Sequence, residues 1–121
     1  MSSRAKGART MLKAKRYALS FPYTQWWPWY QPPMWSTAQP FDVLYVAPNR
    51  WPLFVEVRTN SWRTGNASTK ALAGMPGEGY HKQIWRFKDQ HTIPDIREWD
   101  NTTNTWIPMD TPWHAVEGVE E

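Results

Sequence analysis

The chain has 121 residues, no cysteine and a mean hydropathy of −0.74. This length suits one domain spanning residues 1–121, the lack of cysteine excludes disulfides and thiolate metal sites, and the longest apolar runs are too short to cross a bilayer. Residues 1–88 carry thirteen basic residues against three acids, whereas residues 89–121 carry one against eight. We therefore expect a cytoplasmic protein without a membrane partner, whose first part meets a polyanion.

Residues 4–19 are predicted to form a helix, because alanine, methionine and leucine recur there at helical spacing. Six basic residues and no acid lie on it. Residues 23–40 then contain four tryptophans and four prolines, so no regular structure is expected beyond a short edge strand. This Trp/Pro-rich segment must pack on the domain, on a second subunit or on a ligand.

A β-hairpin is predicted next, since residues 41–47 and 51–59 are rich in β-branched and aromatic residues and flank the turn Pro48-Asn49-Arg50. Residues 60–79 are polar, with at most a short helix near residues 68–73.

The remaining part of the chain predicts one more helix and a second hairpin. Residues 80–90 place Tyr80, Ile84 and Phe87 on one helical stripe. The second hairpin is predicted from residues 96–99 and 105–109. Residues 115–121 form an acidic tail that we expect to fray.

The first hairpin brings two acids together. If Pro48-Asn49-Arg50 is the loop, Ala47 faces Trp51 and Asp42 lies opposite Glu56. Arg58 projects from the same face as Glu56, because the two are two residues apart on a strand. Opposed carboxylates repel, and Mg²⁺ offsets this repulsion because it prefers a few carboxylates with water and phosphate oxygens.

This pattern, Asp42 followed by Glu56-Val57-Arg58, resembles the signature of the PD-(D/E)xK nuclease superfamily, which has Asp on one strand and Glu-x-Lys on the next. Lys6-Gly7-Ala8 and residues 41–44 and 53–59 are similar to archaeal-type Holliday junction resolvases, and the similarity in order covers residues 4–109. The resemblance implies an α/β fold with a restriction-endonuclease-like core, in which a central mixed β-sheet is flanked by helices. Arg58 stands in place of the family's lysine, and Met11 in place of a first-helix Glu.

By this resemblance Asp42, Glu56 and the backbone carbonyl of Val57 bind Mg²⁺, with Mn²⁺ as a substitute, and act with Arg58 in metal-assisted phosphodiester hydrolysis. The expected function is a Mg²⁺-dependent endodeoxyribonuclease that resolves four-way DNA junctions in recombination and repair. Symmetric incision implies a homodimer, and no small-molecule cofactor is expected. Further possible site residues are Gln83, Ser36 and Thr37. The candidate phosphate contacts are Arg4, Lys6, Arg9, Lys13, Arg50, Arg63, Lys70, Lys82 and Arg86.

Several alternatives stay open at this point. A nuclease of the same kind could act on flaps, single strands or DNA ends, since one fold serves many substrates. Arg58 and Met11 favour a non-catalytic nucleic-acid-binding module on a decayed nuclease fold. A tryptophan-rich carbohydrate- or peptide-binding domain would leave the basic first helix unexplained. Glu56 and Arg58 also form an ordinary ion pair in many strands, and the compact chain suits a virus-encoded protein.

Overall fold

Six strands in sequential order form one mixed sheet in the computed structural model, which describes residues 3–21, 27–30, 41–60, 62, 67–76 and 79–112. Strands β3 and β4 are parallel, and the other neighbouring pairs are antiparallel. The elements are α1 (Ser3–Leu19), β1 (Trp27–Tyr30), β2 (Val43–Val46), β3 (Leu53–Thr59), α2 (Ala67–Ala73), β4 (His81–Phe87), β5 (Asp95–Asp100) and β6 (Thr105–Met109). The coarse prediction of an α/β protein with a mixed sheet is confirmed.

Both predicted hairpins are present. In the first, Leu44 pairs with Phe54 and Val43 with Val55, which is the register predicted from the three-residue turn. Asn49 has a φ of 58° in that turn, a left-handed conformation that asparagine tolerates better than most residues. The second hairpin joins β5 to β6, and β1 forms the edge strand expected inside the Trp/Pro-rich segment.

The predicted helix over residues 80–90 is wrong, because His81–Phe87 forms strand β4. This strand pairs with β3 on one side and β5 on the other, and four successive residues, 82–85, are buried, so both of its faces are covered as well. A strand buried on both faces carries apolar residues without clean alternation. A short run of that kind matches a helical stripe by chance.

The two helices pack on opposite faces of the sheet. Helix α1 buries Met11, Ala14 and Ala18 against a core that contains Val55 and Trp85; we call this side the α1 face. On the other side, which we call the α2 face, Thr69 of α2 donates a hydrogen bond to Glu56. Because successive residues of a strand point to opposite faces, Glu56 and Val55 are separated by the sheet.

Helix α2 provides the connection between the parallel strands β3 and β4, as a parallel pair requires a crossover. Its length of seven residues confirms the prediction of a short helix in this region. Lys82 of β4 holds its C-terminal end, since Nζ donates to the carbonyl oxygens of Ala73 at 2.7 Å and Met75 at 3.0 Å. These contacts fix α2 over the middle of the sheet.

Candidate functional site: a buried carboxylate pair

Asp42 lies in a bend immediately before β2, and its backbone N–H donates to the carbonyl oxygen of Val55 at 2.8 Å. The regular pairing of β2 with β3 ends one residue later along β2, at Val43. The Asp42 carboxylate continues the contact, because its Oδ2 accepts a hydrogen bond from the backbone N–H of Val57 at 2.7 Å. The side chain thus takes the place of a strand partner for this amide.

Glu56 and Arg58 lie on the same face of β3, as their spacing predicted, and they form a buried ion pair on the α2 face. Arg58 Nε and Nη2 each lie 3.2 Å from Glu56 Oε2, and both side chains are only 10% exposed. Thr69 joins the pair: its hydroxyl donates to Glu56 Oε2 at 2.8 Å and accepts from Arg58 Nη2. Buried ion pairs need such additional hydrogen bonds to offset the loss of hydration.

The environment raises the pKa of Asp42 to about 6. Burial is the main cause, and the nearby charge of Glu56 adds to it. The hydrogen bond from Val57 and the charge of Arg58 act in the opposite direction. The carboxylates of Asp42 and Glu56 therefore repel each other in a region with little water, and the positive charge of Arg58 offsets part of this repulsion.

Thr69 was not predicted as a member of this site. The only sequence signal is a threonine inside a short helix-forming stretch, and threonine is more often a surface residue. Its side chain is fully buried, which shows that the cluster depends on how α2 docks on the sheet. The tertiary arrangement, and not a motif, brings it to Glu56.

Gln83 does not join the carboxylate pair. It lies on β4 rather than on a helix, and it pairs with Val55 across the sheet, so its side chain is on the α1 face. Its Nε2 donates to Glu98 Oε1 at 2.8 Å and to the carbonyl oxygen of Pro112 at 2.9 Å, and its Oε1 accepts from Trp85 Nε1 at 2.8 Å. The amide is satisfied by a buried network that the sequence did not indicate.

Two predicted phosphate contacts have structural partners instead. Lys82 is 6% exposed and is held by α2, and burial lowers its pKa. Arg86 Nη2 pairs with Asp95 Oδ2 at 2.6 Å. Arg9 and Lys70 are exposed, and Lys13 and Arg50 are half-buried. The predicted features that lie outside the described residues or side chains are Ser36, Thr37, Arg63, the tail 115–121 and the side chains of Arg4 and Lys6.

The described residues include no group of three or more His, Asp or Glu side chains that could hold a metal ion. His81 and Glu98 come together, with Nδ1 and Oε2 3.2 Å apart, next to Gln83 on the α1 face. Neither described helix combines the length and the apolar character that a bilayer crossing requires. Among the described residues, we therefore take the Asp42–Glu56 pair as the candidate functional site.

Comparison with known proteins gives a partial similarity. The chain is 36% identical over 62 residues to the palmitoyltransferase SWF1 of Neurospora crassa, an alignment that covers 49% of this chain and 14% of that protein. The chain thus spans about a seventh of this relative. No protein-family model matches the sequence, and no solved structure matches it.

This similarity contradicts the predicted function. A palmitoyltransferase belongs to a different enzyme class from a Mg²⁺-dependent endodeoxyribonuclease. The assignment as a Holliday junction resolvase in DNA recombination and repair is therefore wrong, and so is the alternative of a nuclease for flaps, single strands or DNA ends. The structure supplies a physical reason why the motif misled: Asp42 completes the end of a strand, and Glu56 and Arg58 pair with each other.

Proposed function

We propose that this domain binds a divalent cation, Mg²⁺ or Mn²⁺, at the carboxylates of Asp42 and Glu56. The observation that carries the proposal is that these two interacting acids, Glu56 buried and Asp42 half-buried, lie close together beside the guanidinium of Arg58. A divalent cation would reduce the repulsion between the two carboxylates, which raises the pKa of Asp42. Burying an unbalanced charge is costly, so a cation at this position stabilises the folded chain.

The donor set fits Mg²⁺ better than a cation that needs many protein ligands. Mg²⁺ retains several water molecules and is commonly held by one or two carboxylates. Asp42 uses Oδ2 for the Val57 amide, while its Oδ1 accepts no hydrogen bond from any part of the chain that the structure describes. The backbone carbonyl of Val57 stays a predicted third ligand.

The protein side chains have separate roles in this proposal. Asp42 and Glu56 hold the cation, and Thr69 and Arg58 orient the Glu56 carboxylate through the contacts described above. Bound there, the cation would supply a Lewis acid and a local positive charge. Because Arg58 already balances one carboxylate, we expect weak affinity, with a dissociation constant on the order of 1 mM.

Titration with Mn²⁺ tests the proposal, with the free ion followed by electron paramagnetic resonance. We expect the wild-type chain to deplete free Mn²⁺ with one site, and Mg²⁺ to compete for it. Asp42→Asn and Glu56→Gln should abolish this site, whereas Asp89→Asn, which changes an exposed carboxylate, should leave it intact. Equal depletion by all four proteins would refute the proposal, as would no depletion by the wild type.

We also propose that the order helix, three strands, helix and strand is a restriction-endonuclease-like core, as the resemblance to PD-(D/E)xK proteins implies. The parallel pair β3–β4, joined through α2, supports this proposal. This proposal concerns the fold alone and does not include DNA cleavage.

Binding of branched DNA and formation of a homodimer stay predictions. An electrophoretic shift assay would test the first, and sedimentation equilibrium would test the second.

A second candidate function comes from the similarity to the Neurospora crassa palmitoyltransferase. We propose that the shared stretch is an accessory part of such proteins, because the present chain has no cysteine to carry an acyl group as a thioester. Incubation with palmitoyl-coenzyme A and a cysteine-containing peptide, followed by mass spectrometry, tests this. We expect no acylated peptide, and transfer above the protein-free rate would show that the chain is itself catalytic.

A further inference from the structure

A groove crosses the α2 face above β5 and β6, away from the carboxylate pair. It consists of two adjoining cavities of about 520 and 410 Å³, and Arg97 lines both. The larger one is also lined by Trp62, Arg86 and Lys88. The smaller one is bounded by Lys70 of α2 and by Trp99 and Trp106.

Helix α2 does not extend over this groove. The helix has seven residues and packs against β3, so among the described residues no helix covers β5 and β6 on the α2 face. Trp99 and Trp106 are paired across β5 and β6, with their ring centroids 5.3 Å apart in an edge-to-face arrangement. Both rings are only partly buried, which leaves aromatic surface available in the smaller cavity.

Two arginines lie over Trp62 in the larger cavity. The Cζ atoms of Arg97 and Arg86 are 4.0 and 4.4 Å from its ring centroid, within the range of cation–π attraction. Arg86 also pairs with Asp95. The guanidinium of Arg97 donates no hydrogen bond to the described part of the chain, although it is held in place by the ring.

Arg97 is the single basic residue among residues 89–121, yet it lies where the two cavities meet. A planar guanidinium with unused donors matches the paired oxygens of a phosphate group. Lys88 adds a second, exposed cation. Asp95 and Asp110 also line the larger cavity and oppose an anion, but the described lining residues of the two cavities still include more cations than carboxylates.

We propose that the groove binds a nucleotide, with its phosphates at Arg97 and Lys88 and its base against Trp99 and Trp106. Aromatic faces stack on bases of any identity, and the cavity volumes are those of small-molecule sites. This site shares no residue with the Asp42–Glu56 pair. It therefore goes beyond the proposed cation binding, and either proposal can fail without the other.

Isothermal titration calorimetry tests the inference on the whole chain at low salt, with EDTA present so that the carboxylate pair plays no part. The probes are ADP, adenosine, inorganic phosphate and a short oligothymidylate. We expect ADP to bind at least about tenfold more tightly than adenosine or phosphate alone, since it uses both halves of the groove. No ADP binding, or binding of the oligonucleotide alone, would overturn the proposal, and so would equal affinity for ADP and phosphate.

Three variants locate the site. Arg97→Gln should weaken ADP binding about tenfold or more, and Lys88→Gln, which changes an exposed side chain, should weaken it less. Arg16→Gln is the matched control, because Arg16 is exposed on α1 at the other side of the sheet. If ADP affinity is the same in the wild type and in all three variants, the groove is not the site. Lys88→Gln keeps the test valid should Arg97→Gln fail to fold.

Discussion

The Asp42 carboxylate accepts a 2.7 Å hydrogen bond from the backbone N–H of Val57. This contact joins the beginning of one strand to the end of its neighbour, where the pairing of β2 with β3 has already stopped. It also keeps an acid in a buried place close to Glu56. Asp42 therefore stabilises the fold as the hydrogen-bond partner of a backbone amide. It also lowers the stability of the fold when it is ionised, because its carboxylate has lost much of its hydration.

The stability of the metal-free protein should depend on pH through Asp42. Its pKa is about 6 in the folded chain against 3.8 ordinarily, so between pH 4 and 6 the folded state holds a proton that the unfolded state has released. The free energy of unfolding should therefore fall as pH rises through this window, by up to about 3 kcal/mol. Urea unfolding in EDTA at pH 4.5 and 7 measures this, and Asp42→Asn should remove most of the difference.

Removal of the carboxylate and removal of its hydrogen bond should have opposite effects. Asp42→Asn keeps an acceptor for the Val57 amide without the buried charge, so at pH 7 it should be at least as stable as the wild type. Asp42→Ala leaves that amide without its partner and should be about 1–3 kcal/mol less stable than Asp42→Asn. If thermal unfolding gives the same stability for both variants, the hydrogen bond contributes nothing.

Arg58→Gln should destabilise the chain by about 3–5 kcal/mol, because Glu56 would lose its buried guanidinium partner. The same change should raise the affinity for Mn²⁺, since the positive charge of Arg58 no longer repels a cation beside the two carboxylates. Millimolar Mn²⁺ should accordingly restore part of the lost stability, as measured by the melting temperature.

The control for that rescue is Arg58→Gln combined with Asp42→Asn and Glu56→Gln. This triple variant has no carboxylate at the site and should show no stabilisation by Mn²⁺. Rescue of the triple variant to the same extent would place the ion elsewhere on the chain.

Lys82→Met should lower stability by about 1–2 kcal/mol, because the carbonyl oxygens of Ala73 and Met75 would lose a charged donor at the end of α2. Lys70→Met is the matched comparison, since Lys70 lies on the same helix but is exposed, and its change should stay within about 0.5 kcal/mol. Chemical denaturation of both proteins measures the difference. A smaller loss for Lys82→Met than for Lys70→Met would contradict this role.

The sequence by itself determined the first hairpin and its register, because a three-residue turn fixes which residues face each other across an antiparallel pair. The two-residue spacing of Glu56 and Arg58 also placed them on one face, as their buried ion pair confirms. Helices α1 and α2 followed from local periodicity and composition. The function could not be assigned from the sequence. The carboxylate of Asp42 binds a backbone amide at the end of the strand pairing, and Glu56 and Arg58 form an ion pair, so these residue types occur here for structural reasons as well.

Only the tertiary structure decided the rest. Residues 81–87 form a strand because two neighbouring strands supply hydrogen bonds on both sides, and this pairing turns Gln83 away from Glu56. Thr69 and Arg97 reach their partners from segments far along the chain. Contacts of this kind depend on how elements dock, and docking is set by packing and burial over the whole sheet rather than by the spacing of residues in one segment.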